Sequence, residues 1–107
     1  MLLARALTQQ PKLLILDEPT AHLDLHNKHR LIEIMCRLRA QGATLLMTNH
    51  EPDVVLAAAD DVLVMEAGLP PLFGSLEEAF TADHLSRIYR LPVHILDVDG
   101  RRVVAWT

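Results

Sequence analysis

The chain carries a single cysteine, Cys36, among 107 residues, which excludes an intramolecular disulfide and fits a reducing cytoplasm. No apolar stretch approaches the roughly 20 residues that span a bilayer, and the amino terminus lacks a charged-then-apolar signal layout. A soluble or peripheral protein is expected. Basic residues form no run beyond Arg101-Arg102 and the net charge is −4. Without clustered Lys and Arg to displace counterions from a phosphate backbone, no nucleic-acid partner is expected. Phosphate-cradling chemistry is missing as well. The only lysines, Lys12 and Lys28, precede Leu13 and His29, so no Gly-x-x-x-x-Gly-Lys-Ser/Thr loop is present.

Half of the residues are apolar, enough for a modest core in one small domain. A first helix is expected up to about Gln9, halted by Pro11. Leu13 to Leu16 is a continuous apolar run typical of a strand buried on both faces. After a turn at Asp17 to Asp24, Leu31, Ile34, Met35 and Leu38 recur at helical spacing, with Asp24 as N-cap and Gly42 as C-cap. Ala43 to Thr48 forms the next strand, and a strand–helix–strand unit with this connection has parallel strands. Pro52 starts a further helix reaching Ala59, and Asp61 to Glu66 reads as a third strand that continues the alternation.

Beyond Gly68 the pattern changes. Pro70-Pro71 limits Leu69 to Phe73 to an edge strand or a turn. Ser75 with Glu78 makes a capping box, and Thr81 caps a helix carrying Leu85, Ile88 and Tyr89 that ends before Pro92. Val93 to Val98 and Arg101 to Trp106 flank Asp99-Gly100, a two-residue hairpin turn.

Chemistry concentrates in two places. Asp17 and Glu18 end an apolar strand, where one carboxylate can hold a Mg2+ water shell and the next can orient or deprotonate water. Thr48-Asn49-His50 ends the second strand. Parallel strands bring both ends to one carboxyl edge, where ligands of open α/β sheets gather. Taken singly, Asp17 and Glu18 also fit solvent-facing acids, and His50 fits a structural histidine. His22, His26 and His29 lie close enough along the chain to suggest a metal site, but spacing supplies no further ligand, and polar helix-surface histidines are the better reading.

The joined pattern Leu13-Leu14-Ile15-Leu16-Asp17-Glu18-Pro19-Thr20, Ala21-His22-Leu23-Asp24 and Thr48-Asn49-His50 resembles the ATP-binding subunit of an ABC transporter. The resemblance implies an α/β fold: an incomplete P-loop NTPase-type (RecA-like) parallel sheet flanked by helices, with a small C-terminal helix and β-hairpin. It implies that residues 1–107 are the C-terminal part of an ABC ATP-binding domain. Residues 1–66 would hold the Walker B, D-loop and H-loop region and 67–107 a family-variable tail. The family's Leu-Ser-Gly-Gly-Gln signature is missing. In the family it lies just before a helix like Met1-Leu2-Leu3-Ala4-Arg5-Ala6-Leu7, so the chain is expected to begin at or just after that helix start.

By the same resemblance, Asp17 acts on Mg2+ through water, Glu18 is the general base and His50 is the switch near the γ-phosphate. Ala21, His22, Leu23 and Asp24 form the D-loop at a dimer interface, with Ala21 replacing the usual serine. Glu51 stands where aspartate is common. ATP and Mg2+ are the implied cofactors of the complete parent, with weak or no binding by this chain alone. A second ATP-binding subunit and transmembrane permease subunits are the implied partners, at the inner face of the cell membrane. The segment from Phe80 to Val93 is similar to tails of importers of iron-siderophore, haem or cobalamin, which favours a metal chelate as cargo.

In the resembling fold a P-loop strand lies between the strands at 43–48 and 61–66. Its absence implies open strand edges that invite association, or a gap between those strands. A non-enzymatic module that pairs with a full ATPase, and part of a non-transport ABC ATPase, are the alternative readings.

Overall fold

The computed structural model describes residues 12–106. The helix expected up to Gln9 lies outside these residues. The described chain falls into two compact units that divide between Val54 and Val55.

In the first unit, β1 (Leu13–Asp17) leads through α1 (Leu25–Ala40) to β2 (Thr44–Thr48), and α2 (Pro52–Ala58) begins at its end. β1 and β2 pair in parallel from Leu13 opposite Thr44 to Asp17 opposite Thr48. This register, set by two short β-rich runs and a helical crossover, places Asp17 and the end of β2 side by side. Asp24 caps α1: its Oδ1 accepts from the Asn27 N–H at 2.8 Å, which satisfies one of the amides a helix start leaves unpaired. At the other end Gln41 donates to the Arg37 and Leu38 carbonyls, and Gly42 follows at φ 99°. The cap is therefore Gln41, with Gly42 one residue later, where a left-handed backbone costs glycine little. Leu31, Met35 and Leu38 are buried on one stripe of α1, each contributing about 1.5–3 kcal/mol by leaving water.

Asp24→Ala removes the cap without touching that stripe. It is expected to lower stability by about 1 kcal/mol, read as a lower urea midpoint at unchanged slope.

The reading of β1 as buried on both faces is corrected. Its exposure alternates, with Leu13 57 % and Ile15 69 % exposed while Leu14 and Leu16 are half-buried. β2 alternates in the same way, with Leu46 exposed. A two-stranded ladder packed on α1 shelters one face, and a strand's side chains alternate between faces.

The second unit contains the rest of α2, β3 (Asp61–Val64), β4 (Leu72–Ser75), α3 (Leu76–Ala79), α4 (Ala82–Tyr89), β5 (Val93–Val98) and β6 (Arg101–Trp106). β3 does not extend the parallel alternation: it pairs antiparallel with β4, from Asp61 opposite Ser75 to Val64 opposite Leu72. Both strands stop where Leu72 follows Pro71, which has no N–H to prolong the ladder. Among the described residues β2 pairs only with β1 and β3 only with β4.

The helix starts are built as their sequences direct. Ser75 Oγ accepts from the Glu78 N–H at 3.2 Å and Thr81 Oγ1 from the His84 N–H at 3.2 Å. The Ser86 hydroxyl accepts from the Val93 N–H at 2.9 Å and donates to its carbonyl at 3.3 Å, tying α4 to β5. The β5–β6 turn has both Asp99 (φ 51°) and Gly100 (φ 81°) in the left-handed region, matching the twist of a two-residue hairpin. The core of this unit is Leu56, Leu76, Phe80, Leu85 and Val93, with Val62, Ile88, Ile95 and Val104 packed around it.

Candidate active site

The parallel register puts Asp17 and Thr48 opposite each other at the carboxyl ends of β1 and β2. Thr48 Oγ1 donates to Asp17 Oδ1 at 2.5 Å and accepts from the Glu18 N–H at 3.0 Å. The same N–H reaches the Thr48 carbonyl at 3.1 Å, and the Glu18 carbonyl accepts from Ala21. These contacts hold Glu18 at φ 43°, a backbone conformation that costs a non-glycine residue about 1–3 kcal/mol. Its side chain is thereby directed to His50, whose Nε2 lies 2.7 Å from Glu18 Oε1. At that distance the ring N–H donates to the carboxylate.

Asp17, Glu18 and His50 are thus brought together, although 30 residues separate Glu18 from Thr48. His50 is 89 % exposed at its side chain and Glu18 40 %, so the pair is open to a ligand. Glu18 keeps a second carboxylate oxygen with which to accept from water. Asp17 is exposed and has one oxygen engaged by Thr48. Among the described residues its other oxygen accepts nothing, which fits a hard cation held through water by an oxygen donor.

A second set of contacts links the same loops. Thr20 is 1 % exposed. Its hydroxyl donates to Glu51 Oε1 at 3.2 Å and accepts from Asn49 Nδ2 at 3.1 Å. Asn49 Oδ1 accepts from the Glu51 N–H at 2.6 Å, and Glu51 Oε2 pairs with the Lys28 ammonium. The hydrogen bond from Lys28 holds the Glu51 carboxyl below its ordinary value, helped by the Lys28 charge and Thr20 against the opposing effect of burial.

Ala21, His22, Leu23 and Asp24 form the turn between β1 and α1. Within it His22 sits at φ 67° and Leu23 donates to the Thr20 carbonyl at 3.3 Å. Asp24 serves as the cap of α1. His29 pairs with Glu33 one turn along α1 at 2.5 Å, while His22 and His26 are exposed. Sequence reasoning missed Thr48 as the residue that binds both Asp17 and Glu18, and missed the roles of Thr20, Asn49 and Lys28. A threonine opposite Asp17 in a parallel register was the available signal for the first.

Residues 1–57 match a family model described as AAA domain, putative AbiEii toxin, Type IV TA system. The vitamin B12 import ATP-binding protein BtuD of Vibrio vulnificus is 33% identical over 103 residues, covering 96% of this chain and 41% of the relative. The hemin import ATP-binding protein HmuV of Nocardia farcinica is 36% identical over 104 residues, covering 95% of this chain and 36% of the relative. A solved structure described as an inward-facing conformation of a putative metal-chelate type ABC transporter is 28% identical. It superposes with a TM-score of 0.83, covering 99% of this chain and 44% of that one. The chain thus spans less than half the length of these relatives.

Proposed function

This chain belongs to the AAA-domain family, among the ABC transporter ATP-binding proteins, and we propose that it supplies the hydrolytic residues of their ATP site. The carrying observation is the Glu18–His50 pair at 2.7 Å beside Asp17 on one sheet edge. Glu18 accepts a proton from the attacking water through its free carboxylate oxygen. His50 fixes the other oxygen and presents an imidazole where a terminal phosphate is held. Asp17 would hold Mg2+, and Thr48 fixes its carboxylate. Mg2+, when bound, neutralises charge that develops on the phosphate oxygens.

In the complete protein this chemistry drives import, and the names of the relatives favour a metal chelate as cargo. The turn Ala21 to Asp24 faces a second ATP-binding subunit, and residues 67–107 form the family-variable tail. Among the described residues no helix is long and apolar enough to cross a membrane. The importer names of the relatives support an assembly that reaches the inner face of the membrane through permease subunits.

The 107 residues contain no Gly-x-x-x-x-Gly-Lys-Ser/Thr loop, whose backbone amides and lysine hold phosphates, so Glu18 is expected to have no positioned substrate. Purified chain mixed with Mg-ATP is expected to show no sustained phosphate release. Sustained turnover that disappears in Glu18→Gln would refute the division of labour between phosphate binding and hydrolysis.

A further inference from the structure

We propose that Thr20, Asn49, Glu51 and Lys28 form a positioning clamp that sets the Glu18–His50 pair. The proposal rests on the reading of that pair as hydrolytic and adds residues that do not touch the reacting atoms. Thr20 lies two residues after Glu18, and Asn49 and Glu51 flank His50 on either side. Contacts among these three therefore fix the two loops from which the pair projects. The Thr20 hydroxyl is used twice, as donor to Glu51 and as acceptor from Asn49. Asn49 also closes the His50 loop on itself through the Glu51 N–H. Lys28 anchors the remaining Glu51 oxygen to the first turns of α1, whose start Asp24 caps.

The burial of Thr20 gives this network its authority. A buried hydroxyl must be paired, and here both its hydrogen-bonding roles are filled from the opposite loop. Among the described residues no buried side-chain polar atom is left without a partner. His50, by contrast, is 89 % exposed at its side chain. Holding the backbone on both sides of it restricts where the imidazole can go, and so reduces the entropy lost on forming the pair.

Nuclear magnetic resonance of the histidine-labelled chain reads this without turnover. Glu18→Gln displaces the His50 ring resonances and thereby marks the signal of the pair. Glu51→Gln and Thr20→Val are expected to reproduce most of that displacement. Thr20→Ser, which keeps the hydroxyl, and Asp24→Ala, which weakens the start of α1 but removes none of the four clamp side chains, are expected to leave His50 at its wild-type position.

If Glu51→Gln and folded Thr20→Val both leave His50 unmoved while Glu18→Gln moves it, the clamp is wrong and the pair stands. If Glu18→Gln itself leaves His50 unmoved, the pair and the proposed function fall together with the clamp. Should Thr20→Val not fold, Glu51→Gln decides, because Glu51 is only half-buried and its amide keeps the same shape. Displacement of His50 by Asp24→Ala equal to that by Glu51→Gln would reduce the clamp to general stability and overturn it.

Discussion

Glu18→Gln is expected to lower Mg-ATP turnover by about 10²–10⁴-fold once the chain is completed by a P-loop-bearing half of an ABC transporter ATP-binding protein. That range corresponds to about 3–5 kcal/mol of transition-state stabilisation. The substitution preserves shape, and the backbone contacts from Glu18 to Thr48 do not involve its side chain. The left-handed backbone is therefore kept, and so is the approach of the side chain to His50. What changes is the ability to take a proton from water, because an amide oxygen is a poor base at neutral pH. Nucleotide binding, measured by retained ATP, is expected to persist, since Asp17 and the added phosphate-binding loop are untouched. Turnover within a few-fold of the wild-type complex would place the base elsewhere and leave the Glu18–His50 contact a structural one.

The residues behind this prediction were legible because spacing and residue type act together. An apolar run ending in two acids, then a capped amphipathic helix, then a strand ending in histidine leaves one economical arrangement, with parallel strands and both ends at one edge. Asp24, Ser75 and Thr81 cap the helices the pattern assigns to them, and Asp99-Gly100 turns the hairpin. These are local effects, decided within about four residues. Thr48, Thr20, Asn49 and Lys28 were not legible as a group, because their contacts join residues 23 to 31 apart in sequence and depend on the realised register. The antiparallel β3–β4 pairing joins residues only 8 to 14 apart and was hidden instead by Pro70-Pro71, which reads as a break in strand pairing.

The exposure of Leu13 and Ile15 has a different origin. Their run has the composition of a strand covered on both faces, and the described residues shelter only one. The sequence pattern thus reports the surroundings for which the strand is suited, and the structure reports the cover the described residues supply. Together with ladder edges that, among the described residues, carry no third strand, this favours reading the segment as part of a larger sheet.

Leu85→Ala is expected to cost about 2–5 kcal/mol, a large loss of stability in the second unit. Leu85 is 1 % exposed and belongs to a cluster of five buried side chains with Leu56, Leu76, Phe80 and Val93. A whole domain is commonly stable by only about 5–15 kcal/mol, so a unit this small has little reserve with which to absorb a cavity. α4 also carries the Ser86 hydroxyl that holds β5, so loosening its buried face weakens the anchor of the hairpin. Leu85→Met, which nearly conserves volume, is expected to cost less than about 1.5 kcal/mol. Leu96 is the contrasting site, because it lies opposite Val103 on the hairpin face turned from the core and is 48% exposed. Its replacement by alanine is expected to change stability by no more than about 0.5 kcal/mol. Chemical denaturation of the three variants followed by circular dichroism separates these cases. Equal losses from Leu85→Ala and Leu96→Ala would mean that the outer face of the hairpin is covered in solution, and that the energetic centre of this unit is not the cluster around Leu85.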